Sequence, residues 1–271
     1  MELKLRTWGE GPVPVLWLHG FAGDGGSFDG LRDDLSSSVR ATLPDLPGHG
    51  ATKGPAAAGT GWEETLAALE AVLRALPGPR LLAGYSMGAR LALALALRAP
   101  DAVDALLLES GTAGLRDEAE RAQRRTEDEE LATLLLREGI AAFVARWEET
   151  KVLATLKALP QASAAALRAR RLAQDPRGLA AALRVFGQGV QPPLWDALPA
   201  LRCPVLVVAG ALDEKYAALA RPLAAALPRA MARIVEGSGH TPHLERPRPF
   251  AALVREAALL ARNSHRTGEP R

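Results

Sequence analysis

A serine between two glycines is the residue best placed to do chemistry. Ser86 is the centre of a Gly-x-Ser-x-Gly motif that follows the apolar run 81–83 and precedes the Ala/Leu-rich run 91–97. Glycines at this spacing let a strand turn sharply into a helix, which exposes the serine hydroxyl at the top of a sheet. The turn also opens the helix, so the N–H of Met87 is free to donate to developing negative charge. Ser86 is therefore a candidate nucleophile or base, and Met87 supplies half of a candidate oxyanion hole.

An aspartate and a histidine complete a candidate catalytic set. Asp213 and His240 each follow a strand-like run, and with Ser86 they occur in the chain order serine, aspartate, histidine. In a triad of this order the histidine takes the serine proton, and the aspartate fixes the tautomer of the imidazole. Glu109 is a second candidate for the acid and His243 for the base, both ranked below Asp213 and His240.

A loop after the first buried strand supplies the second candidate oxyanion donor. The run 13–18 is continuously apolar, as is typical of a buried parallel strand, and it ends in His19, Gly20 and Phe21. The loop resembles the one that supplies the second oxyanion donor in the α/β-hydrolase pattern, and this resemblance implies that role for the N–H of Phe21, with Gly20 allowing a close approach of the backbone. His19 is interpreted as a packed, hydrogen-bonded residue.

Strands and helices alternate along the parts of the chain that must position these residues. Apolar and β-branched runs predict an edge strand over 2–8 and further strands over 13–18, 39–43, 81–83, 103–108, 204–209 and 230–236. One helix is predicted to start at the capping-box spacing of residues 60–63 and to run to about Leu76, and two others are predicted over 91–97 and 249–262. The alternation indicates an α/β fold with a doubly wound, mostly parallel sheet.

The segment between the predicted strands 103–108 and 204–209 differs in character. From residue 115 to about 186 the chain has helical periodicity, many charges and no strand-like run, which predicts three to five short helices above the sheet. We therefore assign residues 1–110 and 190–262 to the core and residues 111–189 to a helical cap. The polar tail, residues 263–271, is expected to be disordered.

Composition and charge argue against several classes of partner. The chain has 271 residues, 48% hydrophobic residues and a formal net charge of +2. This charge is not the strong positive excess that is typical of proteins that bind nucleic acid or an anionic membrane. The longest apolar run has seven residues, and the N-terminus has no signal-type apolar core. We expect a cytoplasmic protein that is a monomer or a small homo-oligomer.

Neither a metal nor another cofactor is expected. His240 and His243 are close in sequence, but they lack the helical His-Glu-x-x-His context and a third ligand. No Gly-x-Gly-x-x-Gly motif follows the first strand, so no nucleotide cofactor is implied.

Several motifs resemble those of one enzyme family along nearly the whole chain. Residues 84–90, Gly-Tyr-Ser-Met-Gly-Ala-Arg, are similar to the Gly-Tyr-Ser-Leu-Gly-Gly-Arg of the 2-succinyl-6-hydroxy-2,4-cyclohexadiene-1-carboxylate (SHCHC) synthases of menaquinone biosynthesis, which have the α/β-hydrolase fold. Residues 213–216, Asp-Glu-Lys-Tyr, resemble their Asp-x-Lys-Phe. Arg124, Trp147 and Arg171 lie in segments similar to the family's cap motifs. Two positions of the first motif depart from the family pattern.

The resemblance implies a lyase that needs no cofactor and acts on a small anionic substrate with several carboxylates. This substrate is 2-succinyl-5-enolpyruvyl-6-hydroxy-3-cyclohexene-1-carboxylate, which loses a ring proton alpha to the succinyl ketone and then expels pyruvate. Ser86, activated by His240, would act as the base toward carbon. The N–H groups of Phe21 and Met87 would stabilise the enolate oxygen.

Arginine side chains are the expected anchors for the substrate carboxylates, because arginine binds carboxylates in bidentate geometry. Arg90, one helical turn beyond Ser86, is the leading candidate, and the alternative for Arg90 is an ordinary solvated helix residue. The resemblance implies further substrate-binding side chains at Arg124, Arg171, Trp147 and Tyr85. Arg168 and Arg170 are alternatives to Arg171.

Two other functions fit the same residues. A carboxylester or thioester hydrolase would use the same triad through an acyl-serine intermediate. A noncatalytic binding module on this fold is disfavoured, because the fold does not require all three triad residue types in order.

Overall fold

One mixed sheet forms the centre of the computed structural model, which describes residues 1–52 and 61–267. Within these ranges seven strands pair in the order β1-β3-β2-β4-β5-β6-β7. The strands are β1 (Leu5–Trp8), β2 (Val13–Leu18), β3 (Val39–Pro44), β4 (Leu81–Tyr85), β5 (Ala105–Glu109), β6 (Val205–Gly210) and β7 (Ala230–Val235). The edge strand β1 runs antiparallel to β3, and the other pairings are parallel. The predicted doubly wound, mostly parallel sheet is confirmed.

Helices cover both faces of this sheet. Their bounds are α1 (Arg32–Leu35), α2 (Trp62–Ala75), α3 (Met87–Arg98), α4 (Glu118–Glu148), α5 (Gln161–Leu172), α6 (Pro176–Phe186), α7 (Glu214–Ala225), α8 (Pro242–Glu245) and α9 (Pro247–Thr267). Successive strand residues point to opposite faces. Leu16 and Leu18 accordingly pack with α2, α3 and α7, whereas Val15 and Trp17 pack with α1 and α9. Burial on both faces explains why these strands are apolar throughout.

The helices α4 to α6 are inserted between β5 and β6. Helix α4 has 31 residues, more than the short helices expected, and its path breaks at Gly139, which has a φ of 81°. A 3₁₀ segment, Lys151–Ala158, connects it to α5. Helices α4 and α6 share a small apolar cluster with Ala22 of the loop after β2, and the cluster includes Leu135, Phe143, Leu179 and Leu183.

The inserted helices contact the core at a pair of glycines. A Cβ atom at Gly48 would contact the carbonyl oxygen of Gly178, and a Cβ atom at Gly178 would lie only 2.5 Å from the oxygen of Gly48. The N–H of Gly50 donates to Gln174 Oε1 at 2.9 Å beside this contact. The N-terminal end of α6 therefore packs backbone to backbone on the loop after β3.

The C-terminal helix is longer than the sequence predicts. Helix α9 begins at Pro247 and continues to Thr267. Ser264 in its last turns is buried, and His265 Nδ1 hydrogen-bonds to the buried Asp104 Oδ1 at 3.1 Å. The prediction of disorder was therefore wrong for residues 263–267, and residues 268–271 lie outside the described ranges. No helix of the described residues is both long enough and apolar enough to cross a membrane.

Candidate active site

Ser86 lies in a strained turn between β4 and α3. Its φ of 51° is unusual for a residue with a side chain, and its N–H donates to the carbonyl oxygen of Glu109 at 2.8 Å. A Cβ atom on Gly84 would contact Gly88, and one on Gly88 would contact Leu18. The two glycines of the motif are thus required by close backbone packing. The turn places the serine in the wall of a cavity between the sheet and the inserted helices.

The structure brings Ser86, His240 and Asp213 together. His240 Nδ1 lies 2.6 Å from Asp213 Oδ2, and His240 Nε2 lies 3.0 Å from Ser86 Oγ. Since the ionised aspartate only accepts, Nδ1 carries the imidazole proton and Nε2 accepts from the serine hydroxyl. The arrangement can remove a proton from Ser86 and stabilise the resulting imidazolium.

The segment that carries His240 is held by a carboxylate to which the sequence analysis assigned no role. Glu245 accepts hydrogen bonds from Gly239 N–H at 2.8 Å and from Thr241 N–H at 3.1 Å, the two residues next to His240. The Ser110 hydroxyl donates to the carbonyl oxygen of His240 at 2.9 Å. Glu245 and Ser110 therefore fix the backbone of His240 from both sides.

Glu109 and His243 form a separate buried pair. His243 donates to Glu109 Oε1 through Nδ1 at 2.8 Å and through its backbone N–H at 2.9 Å. The ring of Tyr85 packs against both histidines, with centroids 4.7 Å from His243 and 5.4 Å from His240. The second candidates for acid and base thus bond to each other, whereas of the first candidates His240 bonds to Ser86 and Asp213 bonds to His240.

Two backbone N–H groups beside Ser86 are available as oxyanion donors. Phe21 and Met87 both line the cavity, and among the described residues neither N–H donates to an acceptor. His19 fixes the Phe21 loop: its Nε2 accepts from Leu46 N–H at 2.9 Å, so its Nδ1 donates to Gly20 O at 2.8 Å. Burial lowers the pKa of His19 to about 4, which keeps this imidazole neutral.

The cavity above Ser86 has a volume of about 190 Å³ and two kinds of wall. Its apolar side comes mainly from the inserted helices and includes Trp147, Leu153, Leu183 and Phe186. Trp147 stacks on Phe143 with ring centroids 5.7 Å apart and meets Phe21 edge-on at 5.6 Å.

The basic side of the cavity comprises Arg90, Arg124, Arg170, Arg171 and Lys215, and Tyr85 also lines the space. Arg168 is not among the lining residues.

Most of the cavity arginines already have acidic partners. Arg124 Nη2 lies 2.9 Å from Asp128 Oδ1, and although burial lowers the pKa of Arg124, Asp128 raises it above its ordinary value. Arg171 bonds to Glu148 at 3.3 Å.

The other two arginines that the sequence offered in place of Arg171 are paired as well. Arg170 bonds to Asp24 at 3.2 Å. Arg168 shares Glu148 with Arg171. The positive charge of these arginines is therefore largely balanced within the protein.

Arg90 differs from the other arginines. It is 6% exposed, its Nη1 donates to Gln191 Oε1 at 2.9 Å, and no carboxylate of the described residues lies within salt-bridge distance. Burial lowers the pKa of Arg90 to about 10, so the side chain is still charged at neutral pH. Asp128, which is bonded to Arg124, acts on Arg90 only at longer range. A buried cation with no carboxylate in contact is costly, and this cavity therefore favours an anionic occupant.

Tyr216 lines the cavity, although the sequence analysis gave it no role of its own within the motif 213–216. Its ring meets His240 edge-on with centroids 4.7 Å apart, and its hydroxyl accepts from Gln188 Nε2 at 3.0 Å. The signal available in the sequence was its place three residues after Asp213 at a helix start, whereas Gln188 gave none. In residues 1–52 and 61–267, no three His, Cys, Asp or Glu side chains are grouped to hold a metal ion.

The chain is similar to known proteins over almost its full length. Residues 15–253 match the family model described as the alpha/beta hydrolase family. A putative SHCHC synthase from Bacillus subtilis (strain 168) is 37% identical, over 91% of this chain and 92% of the relative. The structure of MenH from S. aureus superposes with a TM-score of 0.90 at 28% identity and covers 95% of this chain and 98% of that one.

A second solved structure that shares the fold is an esterase. The thermophilic esterase from Thermogutta terrifontis, solved with malate bound, has a TM-score of 0.83 at 26% identity, over 96% of this chain and 93% of the esterase. The family match over residues 15–253 and the similarity to the relatives lead to one conclusion: the chain belongs to the alpha/beta hydrolase family and, within it, resembles the SHCHC synthases.

Proposed function

We propose that the protein is a carbon–oxygen lyase that eliminates pyruvate from 2-succinyl-5-enolpyruvyl-6-hydroxy-3-cyclohexene-1-carboxylate to give SHCHC in menaquinone biosynthesis. The observation that carries the proposal is the buried Arg90 guanidinium, which lies in the Ser86 cavity without a carboxylate partner among the described residues. The substrate supplies that partner, because it has carboxylates on its ring, its succinyl arm and its enolpyruvyl group. A simple ester has no carboxylate to bind Arg90. The 37% identity to a putative SHCHC synthase supports the same activity.

In this proposal the triad acts as a base toward carbon. His240 Nε2 accepts the Ser86 proton while Ser86 Oγ removes the ring proton alpha to the succinyl ketone, and Asp213 stabilises the imidazolium. The electrons of the C–H bond form an enolate, whose oxygen accepts from the N–H groups of Phe21 and Met87. Collapse of the enolate breaks the C–O bond to the enolpyruvyl group. The departing enolpyruvate takes up a proton and tautomerises to pyruvate.

The arginines have unequal roles in binding. Arg90 binds a carboxylate without losing an acidic partner, whereas Arg124 and Arg171 must share their N–H groups with Asp128 and Glu148. Arg90 therefore contributes most to affinity, and the other two mainly to orientation. Trp147 and its neighbours supply an apolar surface for the carbocyclic ring.

The test is pyruvate release from the enzymatically generated substrate, followed with a coupled lactate dehydrogenase assay. We expect turnover by the wild type and a loss of at least about a thousandfold in Ser86→Ala, the scale on which triad members act together. Arg90→Ala should lose about 2–4 kcal/mol in transition-state binding. Arg98→Ala is its matched control, because Arg98 lies on the same helix α3 and is exposed and paired with Glu63.

A carboxylester or thioester hydrolase is the alternative, and the esterase with a malate-bound structure shares this fold. Its mechanism requires an acyl group on Ser86. Mass spectrometry that finds such an adduct during turnover, together with no pyruvate release above the uncatalysed rate, would refute the lyase.

A further inference from the structure

The hydroxyl of Tyr216 is a polar group of the cavity that the elimination chemistry leaves without a role. Tyr216 lies in the first turn of α7 and is 6% exposed. Its backbone N–H donates to Asp213 Oδ1 at 3.3 Å, and its ring packs against His240. The main chain and the ring thus support the triad, and together they hold the hydroxyl in one place.

The hydrogen bond to Gln188 determines where the Tyr216 proton can go. The Gln188 amide donates to the phenol oxygen at 3.0 Å, and both residues are buried in the cavity wall. An amide nitrogen only donates, so the phenol oxygen accepts in this bond and its own proton points elsewhere. Within the part of the chain that the structure describes, no atom accepts that proton. The hydroxyl is therefore a free donor in a buried site.

Tyr216 and Arg90 are neighbours in this cavity. Burial raises the pKa of Tyr216, so the phenol keeps its proton at neutral pH, and the Arg90 guanidinium is the main influence that opposes the rise. Arg90 uses Nη1 for its bond to Gln191 and has further N–H groups without a carboxylate to bind. A neutral O–H donor and a cationic donor are thus both available to one anion.

We propose that Tyr216 is a specificity-determining residue whose hydroxyl, together with the free N–H groups of Arg90, binds one carboxylate of the substrate. Gln188 is a positioning residue in this arrangement, because its amide sets the rotation of the hydroxyl. A carboxylate only accepts, so it satisfies both donors, whereas a carboxamide places its own N–H groups against one of them. The identity of the substrate rests on the proposed function. The class of ligand, a small carboxylate, does not.

The test uses malate as the probe and the full chain in its unreacted form. Tyr216→Phe removes only the hydroxyl and keeps the ring against His240. A hydrogen bond to a charged group contributes about 1.5–3 kcal/mol, so the Kd for malate, measured by calorimetry, should rise about tenfold or more. Thr65→Val is the matched control. It deletes a buried hydroxyl of helix α2 that donates to the carbonyl oxygen of Gly61 and lies outside the cavity. Its Kd should equal that of the wild type.

Kinetics separate binding from support of the triad. With the enzymatically generated substrate, Tyr216→Phe should raise KM about tenfold and leave kcat within about twofold, because the hydroxyl binds ground state and transition state alike. In an Arg90→Gln background Tyr216→Phe should raise KM by a smaller factor, since the two donors share one carboxylate. A fall in kcat at unchanged KM would assign the hydroxyl to the triad and overturn the inference.

The outcomes also separate this inference from the proposed function. Weaker malate binding by Tyr216→Phe, in a protein that releases no pyruvate, would support the carboxylate site and refute the lyase. Pyruvate release with unchanged KM and malate Kd in Tyr216→Phe would refute the inference and leave the lyase. Wild-type protein that does not bind malate at millimolar concentration would also overturn the inference.

Discussion

Replacing Arg90 with methionine is expected to stabilise the protein and to abolish its activity. The two effects have one cause, because the charge that binds a substrate carboxylate is buried at a cost when no substrate is present. Arg90 is 6% exposed, and its one side-chain hydrogen bond within the described residues goes to Gln191. Methionine is similar in length, packs in irregular apolar space and has no charge to bury.

The size of the stabilisation follows from the cost of the buried charge. Burial lowers the pKa of Arg90 from its ordinary value to about 10, which corresponds to about 3 kcal/mol against the charged form in the folded protein. Loss of the hydrogen bond to Gln191 offsets about 1 kcal/mol of this gain. The expected net stabilisation is about 1–2 kcal/mol, or a rise in Tm of about 2–6 °C for a chain of this length.

The assay combines calorimetric melts with pyruvate release for wild type, Arg90→Met and the control Arg98→Met. Arg98 is exposed and bonded to Glu63 and Glu70, so its replacement should change stability by no more than about 0.5–1 kcal/mol and leave kcat/KM unchanged. Arg90→Met should melt above the wild type and lose at least about a hundredfold in kcat/KM. Added malate should raise the Tm of the wild type and of Arg98→Met, and it should leave the Tm of Arg90→Met unchanged. An Arg90→Met protein that melts below the wild type, or that keeps its activity, would refute the reasoning.

Two further predictions concern backbone support and pH. Glu245→Gln replaces one acceptor of the His240 segment with an amide N–H, so kcat for pyruvate release should fall about tenfold to a hundredfold with little change in KM; an unchanged kcat would show that Glu245 does not position His240. Burial lowers the pKa of His49 to about 3 and of His19 to about 4, below the value of about 6.5 in an unfolded chain. The unfolded state therefore binds more protons, and stability should fall as the pH drops from about 6.5 to 4, by about 1.4 kcal/mol per pH unit for each histidine. Urea denaturation between pH 4.5 and 7 should give about half this slope in His49→Asn, and an equal slope would contradict the assignment.

The residues of the candidate triad could be located from the sequence because each follows a strand of one parallel sheet. The carboxyl ends of parallel strands lie at the same edge, so Ser86, Asp213 and His240 were expected at one edge of the sheet. Their contacts depend in addition on the strand order, which places β4, β5, β6 and β7 side by side. The same reasoning cannot separate Asp213 from Glu109, because Glu109 also ends a strand. The hydrogen bonds of the two histidines make that distinction.

Features that depend on the packing of distant segments were not predictable in this way. The partner of Arg124, Asp128, is four residues along the same helix and was available as a local pattern. The partner of Arg171 is Glu148 on a different helix, and that contact depends on how α4 and α5 pack. The prediction for the last turns of α9 failed for the same reason. Residues 263–266 are polar in sequence, and the burial of Ser264 is a property of the folded chain.

The backbone contact between Gly48 and Gly178 limits how this enzyme could be re-engineered by cap exchange. A chimaera that receives the inserted helices of another family member keeps the contact of α6 with Gly48 only if a glycine occurs at the position of Gly178. A larger residue there should displace the N-terminal end of α6 from the core. The same helix carries Ala182, Leu183 and Phe186 in the wall of the Ser86 cavity, so this displacement changes the shape of the cavity at its apolar side. Grafts should therefore be selected on this glycine before any cavity residue is redesigned.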